Sequence, residues 1–156
     1  MRILFFMILL IVLVSCEETS NTGSSGGESG IVTRILDGDT IDVDINGTSY
    51  RIRYIGVNTP ERDEPCYSDA STANTQVVAG KTVRLVKDTS ETDRYGRLLR
   101  YVYVGDTFVN EKLVRDGWAE AREYPPDTQF ADHFEQLESE ARQANRGCHP
   151  TGIFNN

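Results

Sequence analysis

The apolar and polar positions alternate most cleanly over residues 40–45, where Ile41, Val43 and Ile45 share one side and Asp42 and Asp44 the other. A period of two is that of a half-buried β-strand. Asn46-Gly47 follows, and both residues tolerate the positive φ of a two-residue hairpin turn. Residues 31–36 form an expected strand before it, turned at Asp37-Gly38, and residues 49–57 return as a third. In that third strand Tyr50, Ile52 and Tyr54 alternate with Arg51, Arg53 and Ile55. Gly56 weakens it, and Pro60 ends it because proline carries no N–H and drives Thr59 extended. Residues 82–86 and 98–104 read as two further strands, the second turned at Gly105-Asp106.

Between and after the strands the period changes to that of helices. Ser68 or Asp69 is placed to cap a helix running to Ala79, with Ala70, Ala73 and Val77 as its stripe and Gly80 as its stop. Asn110 is placed to cap a short helix carrying Leu113 and Val114 and ended by Gly117. The last helix starts from Asp127 or Thr128 and places Phe130, Phe134, Leu137, Ala141 and Ala144 on one face, with Gly147 beyond it. Three strands, a helix, two strands and then helices predict an α+β chain, mainly β. The architecture is a five-stranded OB-type barrel with about three helices packed on it.

The first 30 residues stand apart from this pattern. Arg2 precedes an unbroken apolar run over residues 3–14. That run is shorter than the about 20 residues a membrane span needs and fits the core of a signal peptide. It ends in Leu13-Val14-Ser15-Cys16, which resembles a bacterial lipobox. The resemblance implies cleavage before Cys16, lipid on its thiol, and an exported protein anchored in the cell envelope. Residues 17–30 are Ser, Gly, Thr, Asn and Glu, with nothing to bury, and are expected to form a flexible tether. The folded domain is then residues 31–154. With Cys16 given to lipid, Cys66 and Cys148 remain, either joined as export allows or buried as two free thiols.

Charge complicates any nucleic-acid role, because the formal net charge is −8. It is unevenly spread. Residues 81–100 hold six basic and three acidic side chains, whereas residues 111–140 hold nine acidic and three basic. An acidic C-terminal face and a basic face around residues 81–100 are the expectation, with weak and salt-sensitive substrate binding. The two histidines, His133 and His149, lie far from the polar motifs and are expected at the surface. That argues against a His-rich zinc site and against histidine as general base.

Three motifs carry the chemistry: Asp37-Gly-Asp-Thr40, Arg53-x4-Asn58-Thr-Pro-Glu61, and Asp93-Arg-Tyr-Gly-Arg97. A guanidinium grips phosphate with a planar fork of donors. Asn and Thr oxygens suit a hard cation, and a carboxylate can take a proton from water. In order and approximate spacing the set resembles the staphylococcal-nuclease-like (thermonuclease) family over about residues 31–154.

The resemblance implies an OB-type barrel and a calcium-dependent nuclease. Such an enzyme cleaves the 5′ P–O bond of DNA or RNA with low sequence specificity and leaves a 3′-phosphate. Carried over residue by residue, it implies Asp39 as a direct calcium ligand, Asn58 at a ligand position, and Thr59 as a ligand through its carbonyl. It implies Glu61 as the residue that positions or deprotonates water, and Arg53 and Arg97 as the phosphoryl clamp. Tyr95 matches a residue lining the nucleotide pocket and Tyr124 another, while a neighbouring tyrosine is replaced by Arg122. Asn58 departs from the family, which has aspartate there. One negative charge is lost, which Asp37 partly replaces, and calcium affinity is expected to fall. The protein is expected to act as a monomer. The competing reading is a non-catalytic OB-fold envelope lipoprotein that binds nucleic acid or protein. Such a module has no need of Asp39, Arg53, Glu61 and Arg97 together.

Overall fold

A computed structural model of the chain describes residues 27–155. The apolar leader, Cys16 and residues 17–26 of the expected tether lie outside the described residues. The alternating segment is strand β2 (Thr40–Ile45), antiparallel to β1 (Glu28–Ile35) on one side and to β3 (Thr48–Tyr54) on the other. β1 begins at Glu28, so the last residues assigned to the tether belong to the sheet, where Glu28 to Ile31 pair with β5 (Thr82–Val86). Backbone ladder bonds need no apolar side chain, so a polar composition does not exclude a strand. β5 pairs with β6 (Leu98–Val104), and β6 runs parallel to β3 through Ile52–Leu98, Arg53–Leu99 and Tyr54–Arg100. That last pairing closes the five strands into a barrel. The expected fold class holds.

Val32, Ile41, Val43, Ile52, Val83, Leu85 and Val102 fill the barrel, each at most 3 % exposed. Three helices cover it: α1 (Tyr67–Val78), α2 (Val109–Arg115) and α3 (Ala131–Gln143). The third strand is shorter than its composition implies. It stops at Tyr54, and Val57–Asn58 forms a separate strand, β4. Gly56 makes the break at φ +77. Any Cβ there would also lie 2.7 Å from the Phe134 ring of α3. From Ile52 to Val57 every residue is buried, so the alternation fails where helices cover the strand's outer side. After a two-residue hairpin strand, β7 (Thr107–Phe108), and α2, the segment β8 (Glu120–Ala121) pairs with β4.

The helix ends differ from the sequence expectation. Helix α1 starts at Tyr67 behind Cys66, which sits at φ +71, so neither Ser68 nor Asp69 caps it. Cys66 is bonded to Cys148, with their Cα atoms 5.7 Å apart. That link fixes the first turn from 82 residues away. On α1 it is Ala70, Asn74 and Val78 that are buried, while Ala73 and Val77 are half-buried. Asn110 lies inside α2 and is fully buried; its amide accepts from the Val102 N–H (2.9 Å) and donates to the Ile55 carbonyl (2.8 Å). Asp127 and Thr128 do not cap α3, and Ala144 at its end is exposed. His149 is also not a surface residue: it is 7 % exposed and packs edge-on against Phe154.

Candidate active site

The site is built where the β1–β2 turn, the end of β3 with β4, and the loop before β6 meet. In the β1–β2 turn the Asp39 N–H donates to Asp37 Oδ1 (3.1 Å). Asp39 is 5 % exposed. Its Oδ2 accepts from the Thr59 N–H (2.8 Å) and hydroxyl (3.0 Å), and its Oδ1 from the Thr40 hydroxyl (3.1 Å). Arg53 Nη2 stands 3.2 Å from the same Oδ2. Gly38 permits this closeness, because a Cβ on it would meet the Thr59 side chain at 2.7–2.8 Å. Burial and the neighbouring Asp39 charge push the Asp37 carboxyl up to about 6.

Arg53 leaves β3 with only 8 % exposure. Its Nη1 donates to the Tyr54 and Val57 carbonyls, both at 2.8 Å, and its Nη2 to Asn58 Oδ1 (3.3 Å). These bonds lock the guanidinium plane and tie β3 to β4. Asn58 in turn donates through Nδ2 to Glu120 Oε1 on β8 (3.0 Å). Past Pro60, Glu61 is exposed, and its loop is closed by its own N–H donating to Glu64 Oε2 (2.7 Å).

Arg97 comes from the tight turn over residues 93–97. Asp93 organises that turn: its Oδ1 accepts the N–H groups of Tyr95 (2.9 Å) and Arg97 (3.0 Å), and its Oδ2 accepts Arg97 Nε (2.6 Å). With Nε so engaged, Arg97 keeps its two terminal nitrogens for a ligand. Burial pulls Asp93 upward, but the bonds from Arg97 and Tyr95 outweigh it and hold the carboxyl below its usual range. The preceding loop is pinned from three sides. Asp127 accepts the N–H groups of Thr89 (2.9 Å) and Ser90 (2.7 Å), Asp88 accepts the Tyr101 hydroxyl (3.0 Å), and buried Arg100 pairs with Glu91.

These elements enclose an open cleft of about 700 Å³, lined by Asp39, Arg53, Asn58, Glu61, Tyr95, Arg97 and Tyr124 among others. Thr59 stands behind Asp39, 3 % exposed. Tyr95 and Tyr124 are 69 % and 43 % exposed at the rim. Arg97 and Arg94 lie against the Tyr95 ring, with guanidinium carbons 5.5 and 4.8 Å from its centroid. The basic face expected around residues 81–100 does not form as a block. Arg100 is buried against Glu28 and Glu91, and Arg84 stacks on Tyr103, its guanidinium carbon 4.1 Å from the ring centroid. The sequence gives no sign of a role for Glu120, marks Asp127 only as a helix cap and Asp93 only as part of its motif.

Comparison with known proteins decides the family. Residues 51–148 match the family model described as "Staphylococcal nuclease homologue". The chain belongs to the staphylococcal nuclease family. The thermonuclease of Staphylococcus intermedius is 41 % identical over 123 residues, covering 75 % of this chain and 73 % of that protein. The thermonuclease of Staphylococcus hyicus is 34 % identical over 154 residues, covering 90 % and 91 %. Endonuclease YncB of Bacillus subtilis is 38 % identical over 138 residues, covering 81 % of this chain and 65 % of the relative. As a staphylococcal nuclease homologue, the protein is a nuclease that hydrolyses phosphodiester bonds.

The donor set fits the hard cation expected of this family. Asp37, Asp39, Asn58 and Thr59 offer oxygen, and neither His nor Cys lines the cleft. Asp37 and Asp39 stand together in the β1–β2 turn, and a cation would offset both carboxylates. Among the described residues no three His, Cys, Asp or Glu side chains form a ready-made cage. A cation here would therefore draw on amide and backbone oxygen as well as on carboxylates.

Proposed function

We propose that this nuclease is calcium-dependent, takes both DNA and RNA with low sequence specificity, and leaves 3′-phosphates. The observation that carries the reading is one cleft lined by Arg53, Arg97, Glu61 and Asp39 together, with two exposed tyrosines at its rim. Calcium, held by Asp39, Asn58 and the Thr59 carbonyl, would supply positive charge beside the scissile phosphate. Arg97, oriented by Asp93, and Arg53, locked by the Tyr54 and Val57 carbonyls, hold the phosphoryl oxygens. They oppose the charge that builds on those oxygens during in-line displacement. Glu61, exposed at the cleft, takes the proton from the attacking water. Tyr95 and Tyr124 stack on bases, which reads no sequence.

Cys16 is proposed to carry the lipid that anchors the exported domain in the cell envelope, with the residues after it as tether and the domain acting as a monomer. The decisive assay incubates the purified domain with single-stranded DNA and with RNA, in calcium and then in excess chelator. Glu61→Gln, which cannot accept the water's proton, is the control. Cleavage with calcium, its loss with chelator and its loss in Glu61→Gln are expected. Undiminished cleavage in chelator ends the calcium reading. Fractionation of cells expressing the wild type and Cys16→Ser tests the anchor, and a soluble wild type ends it.

A further inference from the structure

Strands β4 and β8 pair over only two positions, Val57 with Ala121 and Asn58 with Glu120. Directly opposed residues present side chains on the same face. The Asn58 amide therefore lies between a cation and an anion. Its oxygen accepts from Arg53 Nη2 at 3.3 Å, and its nitrogen donates to Glu120 Oε1 at 3.0 Å. Turned over, it would set NH₂ against guanidinium and C=O against carboxylate, donor facing donor and acceptor facing acceptor. Glu120, together with Arg53, thus sets which end of the amide faces the guanidinium. Its strand is held from outside the site: the Ala121 N–H donates to Glu138 Oε2 on α3 (3.0 Å), and the Arg122 N–H to the Gly56 carbonyl (2.9 Å).

We propose that Glu120 is a positioning residue of the active site. Through Asn58 it aims an oxygen at Arg53 Nη2, the nitrogen that also meets Asp39, and from β8 it supplies the negative charge that position 58 lacks. The inference rests on the calcium-dependent reading above. Asn58→Asp alone removes the N–H that Glu120 accepts and sets two carboxylates together, so the pair no longer holds its geometry without a cation. Asn58→Asp with Glu120→Gln exchanges amide and carboxylate across the two strands, leaving the pair bonded with its charge on the cleft side.

The test uses the metal-free domain and its calcium titration as well as turnover. NMR of the Asn58 side-chain amide reports its bonding without metal or substrate, and calorimetry gives calcium Kd. Glu120→Ala is expected to move the Asn58 NH₂ resonances and to weaken calcium binding about 10-fold or more. Glu120→Gln keeps an acceptor, so it leaves the resonances near their place but weakens calcium binding. The exchanged pair, with its charge on the cleft side, is expected to bind calcium more tightly than Glu120→Gln. Unmoved resonances and unchanged Kd in Glu120→Ala overturn the proposal while leaving the nuclease reading intact. An exchanged pair that binds calcium no more tightly than Glu120→Gln overturns the charge argument. A wild type that neither binds calcium nor responds to it overturns the calcium reading and the charge role. The metal-free resonances still decide whether Glu120 orients Asn58.

Discussion

Asp93 holds Arg97 in place, and removing it should disable the enzyme without unfolding it. Asp93→Ala deletes three hydrogen bonds: two from the N–H groups of Tyr95 and Arg97, and one from Arg97 Nε. A typical net value is about 1 kcal/mol per bond, so the turn loses about 2–3 kcal/mol. The Arg97 side chain is 29 % exposed and the Asp93 side chain 17 %, so the freed groups find water and the loss stays local. A turn weakened by that much no longer fixes the guanidinium, and a misplaced clamp costs about 10²-fold in rate. Single-turnover cleavage of one oligonucleotide at saturating calcium should therefore fall by about two orders of magnitude. The thermal midpoint should fall by about 5–15 °C while the domain stays folded at the assay temperature, since ~1 kcal/mol is worth about 2–8 °C in domains of this size range. Asp93→Asn retains an acceptor for the backbone N–H groups and loses only the ion pair, so its loss should be smaller, about 10-fold. If Asp93→Ala cleaves at the wild-type rate, Arg97 does not depend on this turn, and the account of how the clamp is positioned is wrong.

Other perturbations probe the same framework. Gly38→Ala drives a methyl to within 2.7–2.8 Å of Thr59 and pushes that residue off Asp39; calcium titration should show affinity about 10-fold weaker, and an unchanged titration would separate Thr59 from the metal site. Asn110→Ala leaves the Val102 N–H and the Ile55 carbonyl buried without partners, a loss of about 2–5 kcal/mol visible in urea unfolding. His149 is buried with neither ring nitrogen bonded, and burial holds its pKa below the ordinary 6.5 despite the opposing pull of Glu138, with Arg142 adding to the depression. Its neutral form contributes stability that is complete above the unfolded pKa and is lost as pH falls through the lower folded value. The thermal midpoint should therefore drop on acidification below about pH 6.5, and His149→Phe should flatten that part of the curve.

The barrel was legible because its information is local. The alternation over residues 40–45 and the Asn46-Gly47 turn prescribe a hairpin without reference to anything else. Helix ends were misread where a cap-like residue serves a distant partner. Asn110 and Asp127 look like caps because a short polar side chain precedes an apolar run. In the folded chain Asn110 bridges β6 to the end of β3, and Asp127 holds the backbone of Thr89 and Ser90. Likewise the left-handed Cys66 is set by its bond to Cys148, and nothing in residues 62–70 announces it. His149 looked like a surface residue because a single histidine in a polar tail carries no periodicity to place it. The motifs named the residues that face the cleft. They could not name Glu120, whose partner Asn58 is 62 residues away and meets it only because two short strands happen to pair.

The charge balance of the cleft shows why this matters. Net composition predicted an awkward substrate match for a chain of formal charge −8, relieved by a basic segment. Yet the cleft is lined by Asp37, Asp39, Glu61, Asp93 and Asp127 against Arg53, Arg94 and Arg97. Asp93 is spent on Arg97 and Asp127 on backbone N–H groups. The carboxylates left nearest Arg53 are Asp37 and Asp39, and burial first, with the Asp39 charge second, pushes Asp37 up to about 6. An incoming phosphodiester therefore meets an Arg53 already paired with Asp39, with Asp37 beside it at the same end of the cleft. A divalent cation would offset those carboxylates, and they would draw it there. If this balance governs binding, substrate affinity without catalysis should itself depend on calcium. In the Glu61→Gln variant, which cannot turn over, the Kd for single-stranded DNA should tighten on adding calcium and weaken as salt rises. Fluorescence anisotropy measures both. Binding indifferent to calcium would show that the arginines overcome the acidic cluster unaided, and the cation would then be left with a role in the chemical step alone.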